Sequence, residues 1–401
     1  MSLLMPAIKP AYFLILVSLF NHAAYSGARM AIPLYAVSLG ASPAVIGLQL
    51  ALFGVLGIFT SVYLGRWVDR HGARLPYLLA SIGVGVGVFL PVVWQQLGAL
   101  FLVCLLAGTA WNACYLANVQ LMGQLGTPTE KIGNFSMHST LLSVSSLIAP
   151  LITGLLIDHA GFSVSFAILG LLPLVTIAMI LLDRMPFPPA DAARASRPPA
   201  TDTTPADTSE RKRSIFQLLR VRALRHAYVV GMLVQGIWNV YFFLMPLHGA
   251  YIGLSASQIG ALLALFAFSS ICSRPILVRM RHRCSAWQIV TINMVMMTLA
   301  LAGVPCFDTL GPQLVFAVIL GLALGLGSPV SLALLHEASP PGRAGEAAGL
   351  RTTILAVVQT AAPLLAGLTG ATTGLHSAFV FLAVCAALGG WLSYFLTRTE
   401  K

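Results

Sequence analysis

Gly65-Arg66-Trp67-Val68-Asp69-Arg70-His71-Gly72-Ala73-Arg74 decides how the rest of the chain is read. This polar, basic stretch stands between two apolar runs, 43–64 and 75–93, each about the 20 residues that cross a hydrocarbon core as a helix. Runs of the same kind recur near 11–37, 98–122, 133–157, 162–182, 226–249, 256–279, 285–305, 311–336, 345–369 and 375–396, which makes twelve spans. With 58% apolar residues, 9% charged residues and a mean hydropathy of +0.87, the 401-residue chain has too little polar surface to cover a soluble globule. It reads as an all-α membrane protein.

The formal charge of +11 would suit a nucleic-acid partner, but the placement of the charges argues against one. Lys9, Arg66, Arg70, Arg74, Lys131, the basic residues of 184–225, Arg274–Arg283, Arg343, Arg351, Arg398 and Lys401 fall at or near every second inter-helix segment. The alternate loops carry no Lys or Arg. This positive-inside pattern predicts both termini in the cytoplasm of a bacterial-type inner membrane, with the basic residues meeting anionic lipid. Arg29 is the exception, lying inside the first run beside Asn21, His22, Tyr25 and Ser26. Six scattered cysteines show no metal-ligand spacing and read as reduced core residues. Leu14–Phe20 followed by Ser26-Gly27-Ala28 mimics a cleaved signal, but cleavage would leave one half of an internal repeat short of a helix.

That repeat appears when the chain is shifted by 213 positions. Ile32-Pro33-Leu34 then falls on Met245-Pro246-Leu247, Ala51-Leu52-Phe53 on Ala264-Leu265-Phe266, and Ala149-Pro150 on Ala362-Pro363. The expected architecture is therefore two pseudo-symmetric six-helix bundles, 1–182 and 223–401, joined by a Pro-rich cytoplasmic linker at 183–222. The end of the linker, from Arg211 through Ile215, Phe216 and Leu218 to Arg225, reads either as an amphipathic helix on the inner leaflet or as a plain charged tether.

The opening stretch resembles the G-x-x-x-D-R-x-G-R-R signature of the major facilitator superfamily, at the loop where that family carries it. The twelve spans, central linker and half-repeat extend the resemblance over essentially the whole chain. In the family this loop latches the two halves on the cytoplasmic face, which assigns gating to Gly65, Asp69, Arg70, Gly72 and Arg74. A weaker likeness, at Ser136, Ser145, Ala149-Pro150 and Thr153-Gly154, is to the antiporter motif of drug-exporting members, and adds Pro150 and Gly154 to the gating set. Many exporters carry a basic residue in the fourth helix where this chain has Cys104, a departure from their proton-coupling scheme.

By the same resemblance the solute site lies near the bilayer midplane, lined mainly by the first, fourth, seventh and tenth helices. The first helix places His22, Tyr25, Ser26 and Arg29 on one face. Arg29 either looks into the pathway or snorkels to the outer interface. Asn112 and Tyr115, with Trp111 and Asn118, are the candidates on the fourth helix, and Trp238 and Asn239 on the seventh; each could equally be a packing residue. No Asp or Glu falls in mid-span, so His22 and His138 are the remaining titratable candidates for coupling to protons. Two positive or potentially positive groups without a fixed negative charge favour an anionic or zwitterionic small-molecule solute.

The expectation is a secondary transporter, not an enzyme, working as a monomer without cofactor or metal by alternating access. Export of a small organic solute, with proton antiport, is the first reading; uptake or exchange of a small anionic metabolite is the alternative.

Overall fold

The computed structural model describes residues 10–124, 128–185, 187, 215–340 and 343–399. Most of the expected linker lies outside them. The helices are α1 (Pro10–Ser38), α2 (Pro43–His71), α3 (Arg74–Val93), α4 (Leu97–Gln124), α5 (Pro128–Leu171), α6 (Pro173–Leu181), α7 (Arg222–Tyr251), α8 (Ala256–Arg281), α9 (Ala286–Gly303), α10 (Leu310–Ala338), α11 (Ala344–Thr373) and α12 (Leu375–Thr399). The 44-residue α5 is two spans in series, because Gly161 adopts φ 82° and ψ 173° and interrupts the helical ladder. The part beyond Gly161 continues through Leu172 into α6, so the described residues form twelve crossings. A 29-residue helix such as α1 is about 43 Å long, enough to span the hydrocarbon even when tilted.

The offset of 213 is written in the backbone as well as in the sequence. Gly40 and Gly253 end α1 and α7 with the same φ of 77°, the left-handed conformation that lets a chain leave a helix without a Cβ clash. Gly161 and Gly374, again 213 apart, share φ values of 82° and 89° at a later break in each half. Ser42 and Ser255 follow the first pair and cap α2 and α8, accepting from the backbone N–H of Val45 and Gln258.

Ser255 and Ser285 each form a full capping box, with Gln258 and Gln288 returning a bond to the cap backbone N–H at 3.0 and 2.8 Å. Ser255→Ala and Ser285→Ala are each expected to cost about 1 kcal/mol, read as a lower midpoint of thermal unfolding in detergent.

Two compact units result, one comprising 1–32 and 52–206, the other 33–51 and 207–401. In the first, α3 packs by small residues: a Cβ on Gly87 would lie 3.1 Å from the Ala107 nitrogen of α4, and one on Gly85 the same distance from the Gly170 carbonyl. Such backbone approach is how apolar helices gain contact where lipid removes the hydrophobic drive between them. Thr176 of α6 donates to the Val17 carbonyl of α1 at 3.0 Å, and Arg74 at the start of α3 holds Asp183 at 2.7 Å and the Ile180 carbonyl at 3.3 Å.

In the second unit, Gly321 and Gly325 seat α10 on the backbone of α8 at Phe266 and Ser270, and Gly389 and Gly390 seat α12 on Met294 of α9. The segment 33–51 belongs to this unit, a division that duplication alone does not anticipate. Its physical cause is at Gly47, where an added Cβ would lie 2.6 Å from the Pro363 carbonyl and 2.9 Å from Gly367 Cα of α11. Of the segment read as an amphipathic helix, the described part is a 3-10 turn, Ile215–Arg220, with Leu218 fully buried and the turn packed against α7, followed after Val221 by the first residues of α7 itself, Arg222 to Arg225. Residues 211–214 lie outside the described residues.

Candidate functional site

The first unit gathers its polar and aromatic groups around α1. The three- and four-residue spacing of His22, Tyr25 and Arg29 does put them on one face, and that face meets α4 at Trp111. Tyr25 stacks on Trp111 with ring centroids 5.3 Å apart and planes 19° from parallel, while His22 lies 4.8 Å from the same indole. Phe53 of α2 turns its edge to Tyr25 at 5.5 Å. From Trp111 the series continues to Tyr115 at 6.4 Å and on to His138 of α5 at 6.0 Å. The Arg29 guanidinium stands 5.9 Å from the Tyr25 centroid and within electrostatic range of His22 and of Cys104, the position where the family resemblance led one to look for a basic residue. Asn112 lays its amide over Gly57 of α2, 3.3 Å from where a Cβ there would sit.

Accessibility divides this cluster. His22, Tyr25, Phe53 and His138 are buried, whereas Tyr115 is 41% exposed and Trp111, Asn112 and Arg29 are partly exposed. Next to His22 in the chain, Asn21 donates to Ser81 of α3 at 2.9 Å and lies 3.6 Å from the Cys114 thiol, with the wholly buried Asn118 and Tyr77 beside it. Through Asn21 this polar group ties α1 to α3 and α4 beside the aromatic cluster.

The second unit repeats the plan with altered chemistry. Trp238 and Phe266 stand where Tyr25 and Phe53 stand in the first half, 5.0 Å apart, and Phe242, in the place of Arg29, lies 5.7 Å from Trp238. Tyr241 stacks on Phe266 at 4.6 Å. Asn239 is buried and donates to the Gln235 carbonyl one turn earlier at 2.9 Å. Arg351, the counterpart of His138, is half-buried, with its Nε 3.8 Å from where a Cβ on Gly231 would sit.

Of the residues read as a gate, Gly65, Asp69 and Arg70 belong to α2, and their side chains lie outside the described residues. Gly72 terminates α2 with φ 78°, and Arg74 makes the ties to Asp183 and Ile180 given above. Pro150 and Gly154 are buried on α5, and the neighbouring Thr153 packs against Gly27 of α1, where an added Cβ would meet its hydroxyl at 2.6 Å. Phe53 and Ser81 were not singled out from the sequence, since an isolated Phe or Ser in an apolar run carries no periodic signal. The repeat pairs Phe53 with Phe266, and that pairing was the available clue.

The described residues contain no group of three or more His, Cys, Asp or Glu placed to hold a metal ion. A model of the Major Facilitator Superfamily matches residues 14–317 and 250–401. Among solved structures, the nucleoside transporter NupG superposes with a TM-score of 0.79 at 14% identity, covering 98% of this chain and 100% of that one. A bacterial homolog to the human lysosomal transporter Spinster, in an inward-facing and unoccupied conformation, gives 0.75 at 14% identity over 97% of each chain. A POT family transporter in complex with a thioalcohol-conjugated peptide gives 0.74 at 14% identity, over 97% of this chain and 96% of that one. No curated protein matches.

Proposed function

The chain belongs to the Major Facilitator Superfamily and is a multi-pass membrane transporter of small solutes, not an enzyme, and from that premise we propose that it exports a small anionic or zwitterionic organic solute in exchange for protons. The observation that carries the charge preference is Arg29, a fixed cation placed among the aromatic groups of the first bundle. A cation at the centre of a span costs about 2.5–3.5 kcal/mol on insertion scales, and a bound solute anion would stabilise one inside a span.

In this reading Arg29, His22, Tyr25, Asn112 and Tyr115 of one bundle, with Trp238 and Asn239 of the other, bind the solute. His22 and His138, the titratable side chains inside spans of the first bundle, carry the exchanged proton. Gly65, Asp69, Arg70, Gly72, Arg74, Pro150 and Gly154 serve the gate as the bundles alternate access. The likeness of Pro150 and Gly154 to the antiporter motif supports export. Arg29 itself favours a second reading, uptake or exchange of a small anionic metabolite. The protein sits in the inner membrane with both termini in the cytoplasm and works as a monomer, the basic loops meeting anionic headgroups.

Transport into proteoliposomes under an imposed pH gradient, with size-matched anionic, neutral and cationic probes, tests this. Solute flux that moves protons the opposite way, greatest for the anion, is expected. Proton movement without solute would exclude antiport, and transport of cations alone would overturn the charge preference.

A further inference from the structure

In the second unit three contacts, in order along both helices, define the seam between α7 and α11. Tyr228 donates its hydroxyl to the Ala347 carbonyl at 3.1 Å, Arg351 lies over Gly231, and a Cβ on Gly236 would stand 3.1 Å from Val358 Cγ1. Ala347, Arg351 and Val358 follow helical spacing, so one face of α11 makes the seam and Arg351 belongs to it. The offset that pairs Gly236 with Val358 sets Gly231 level with Thr353, further along the span than Arg351 itself. A side chain snorkelling to the nearer helix ends would instead run back towards Tyr228.

Nothing in the protein answers this charge. Among the described residues Arg351 has no hydrogen-bond or ion-pair partner, although its Nε is fully buried. The nearest acid along α11, Glu346, accepts from Arg343 Nε at 2.8 Å. Beside the guanidinium there is room: a Cβ on Gly231 would have Arg351 Nε at 3.8 Å and no other neighbouring atom within 4 Å. A buried donor left unbonded costs about 1–3 kcal/mol, and more when it is charged, so a span keeps one where function brings it a partner.

Resting on the proposed anion reading, we infer that Arg351 is a second anion-binding residue, which takes a carboxylate of the solute in the notch that Gly231 leaves in the α7–α11 seam. The open donor is Nε, so the ion is met from the side of the guanidinium, by Nε and the neighbouring Nη. Two parallel N–H groups match the two oxygens of a planar carboxylate, whereas a spherical halide engages them through a single atom. Gly231 is a positioning residue: it contributes no bond and keeps clear the space that a side chain would fill.

The test is labelling of the purified full-length protein with phenylglyoxal, which modifies accessible guanidinium groups, in phosphatidylcholine liposomes that hold no anionic lipid. Peptide mass spectrometry reads Arg29 and Arg351 separately, with butyrate, its neutral amide butyramide, and chloride as competitors. Butyrate at about ten times its Kd is expected to slow the labelling of Arg351 about tenfold by mass action, with chloride well behind and butyramide without effect. Gly231→Val, which fills the notch and keeps the cation, should remove the butyrate protection at Arg351 and leave that at Arg29. If Gly231→Val does not yield folded protein, titration calorimetry of Arg351→Lys replaces it, expected to lose the margin of butyrate over chloride because the charge remains and the fork does not. Chloride protecting Arg351 as well as butyrate does would overturn the carboxylate assignment. Protection of Arg29 while Arg351 is unprotected, or never labels, would overturn this inference and leave the anion reading standing. Protection of neither residue would overturn the anion reading itself.

Discussion

Gly108→Val is expected to prevent the first bundle from assembling, and Gly321→Val to do the same to the second. A Cβ on Gly108 would lie 2.5 Å from the Phe53 carbonyl oxygen and 2.6 Å from Phe53 Cα. A Cβ on Gly321 would lie 2.3 Å from the Phe266 carbonyl oxygen, at the equivalent crossing 213 positions on. In both cases the obstacle is backbone, so no side chain can rotate away and two helices must separate. Inserting a single methylene into a packed core already costs about 1–3 kcal/mol, and here a branched side chain is forced against main chain. The measurement is the yield of monodisperse protein in detergent and its unfolding midpoint, both of which should collapse. Gly133→Ala and Gly349→Ala are the controls. Nothing lies within 4 Å of a Cβ at either helical position, and exchanging Gly for Ala there should be neutral or stabilise by about 0.4–1 kcal/mol. A Gly108→Val protein as stable as these would refute the close crossing.

Arg29→Gln is expected to cut transport of an anionic probe by about ten- to a hundredfold in kcat/KM, the loss of a charge-assisted bond of about 1.5–3 kcal/mol. Arg29→Lys should recover part of it, since the charge remains and the planar fork does not. Thermal stability provides the discriminating readout. If Arg29 serves the solute, removing a cation that is costly in a span leaves the unfolding midpoint unchanged or raised while transport falls. If instead it snorkels to the interface as an anchor, transport and stability fall together, and the substrate role is lost with them. At Phe242 the second half shows that the scaffold folds without a cation at this position, which is why a functional cost without a stability cost is the expected result.

Much of the architecture was legible along the chain because a bilayer imposes length and polarity on each crossing. Twelve apolar runs, alternating basic loops and the 213-residue repeat lead to twelve described crossings and to a family match spanning both halves. The Gly40–Gly253 and Gly161–Gly374 pairs, not singled out along the chain, are marked by their backbone angles, since a left-handed break is tolerated in few residues other than glycine. The site was readable to the level of a helix face. Helical spacing groups His22, Tyr25 and Arg29 on α1, and Trp111, Asn112 and Tyr115 on α4. Periodicity within one helix says nothing about which neighbouring helix that face meets, or which of its rings remain accessible.

Membership of a twelve-helix transporter family, the duplication and the anomalous charge at Arg29 follow from the sequence by itself, because each is set by local composition and by comparison of one half with the other. The tertiary structure alone decided that 33–51 pack with the second unit and that Arg74 is tied to Asp183. It also decided that Trp111, backed by Tyr25 and His22, is the hub of the cluster around Arg29. These depend on distances between helices far apart in the chain. Such distances are set by where Gly27, Gly47, Gly87 and Gly108 let backbones touch, and a glycine reads the same in sequence whether it faces another helix, a cavity or lipid.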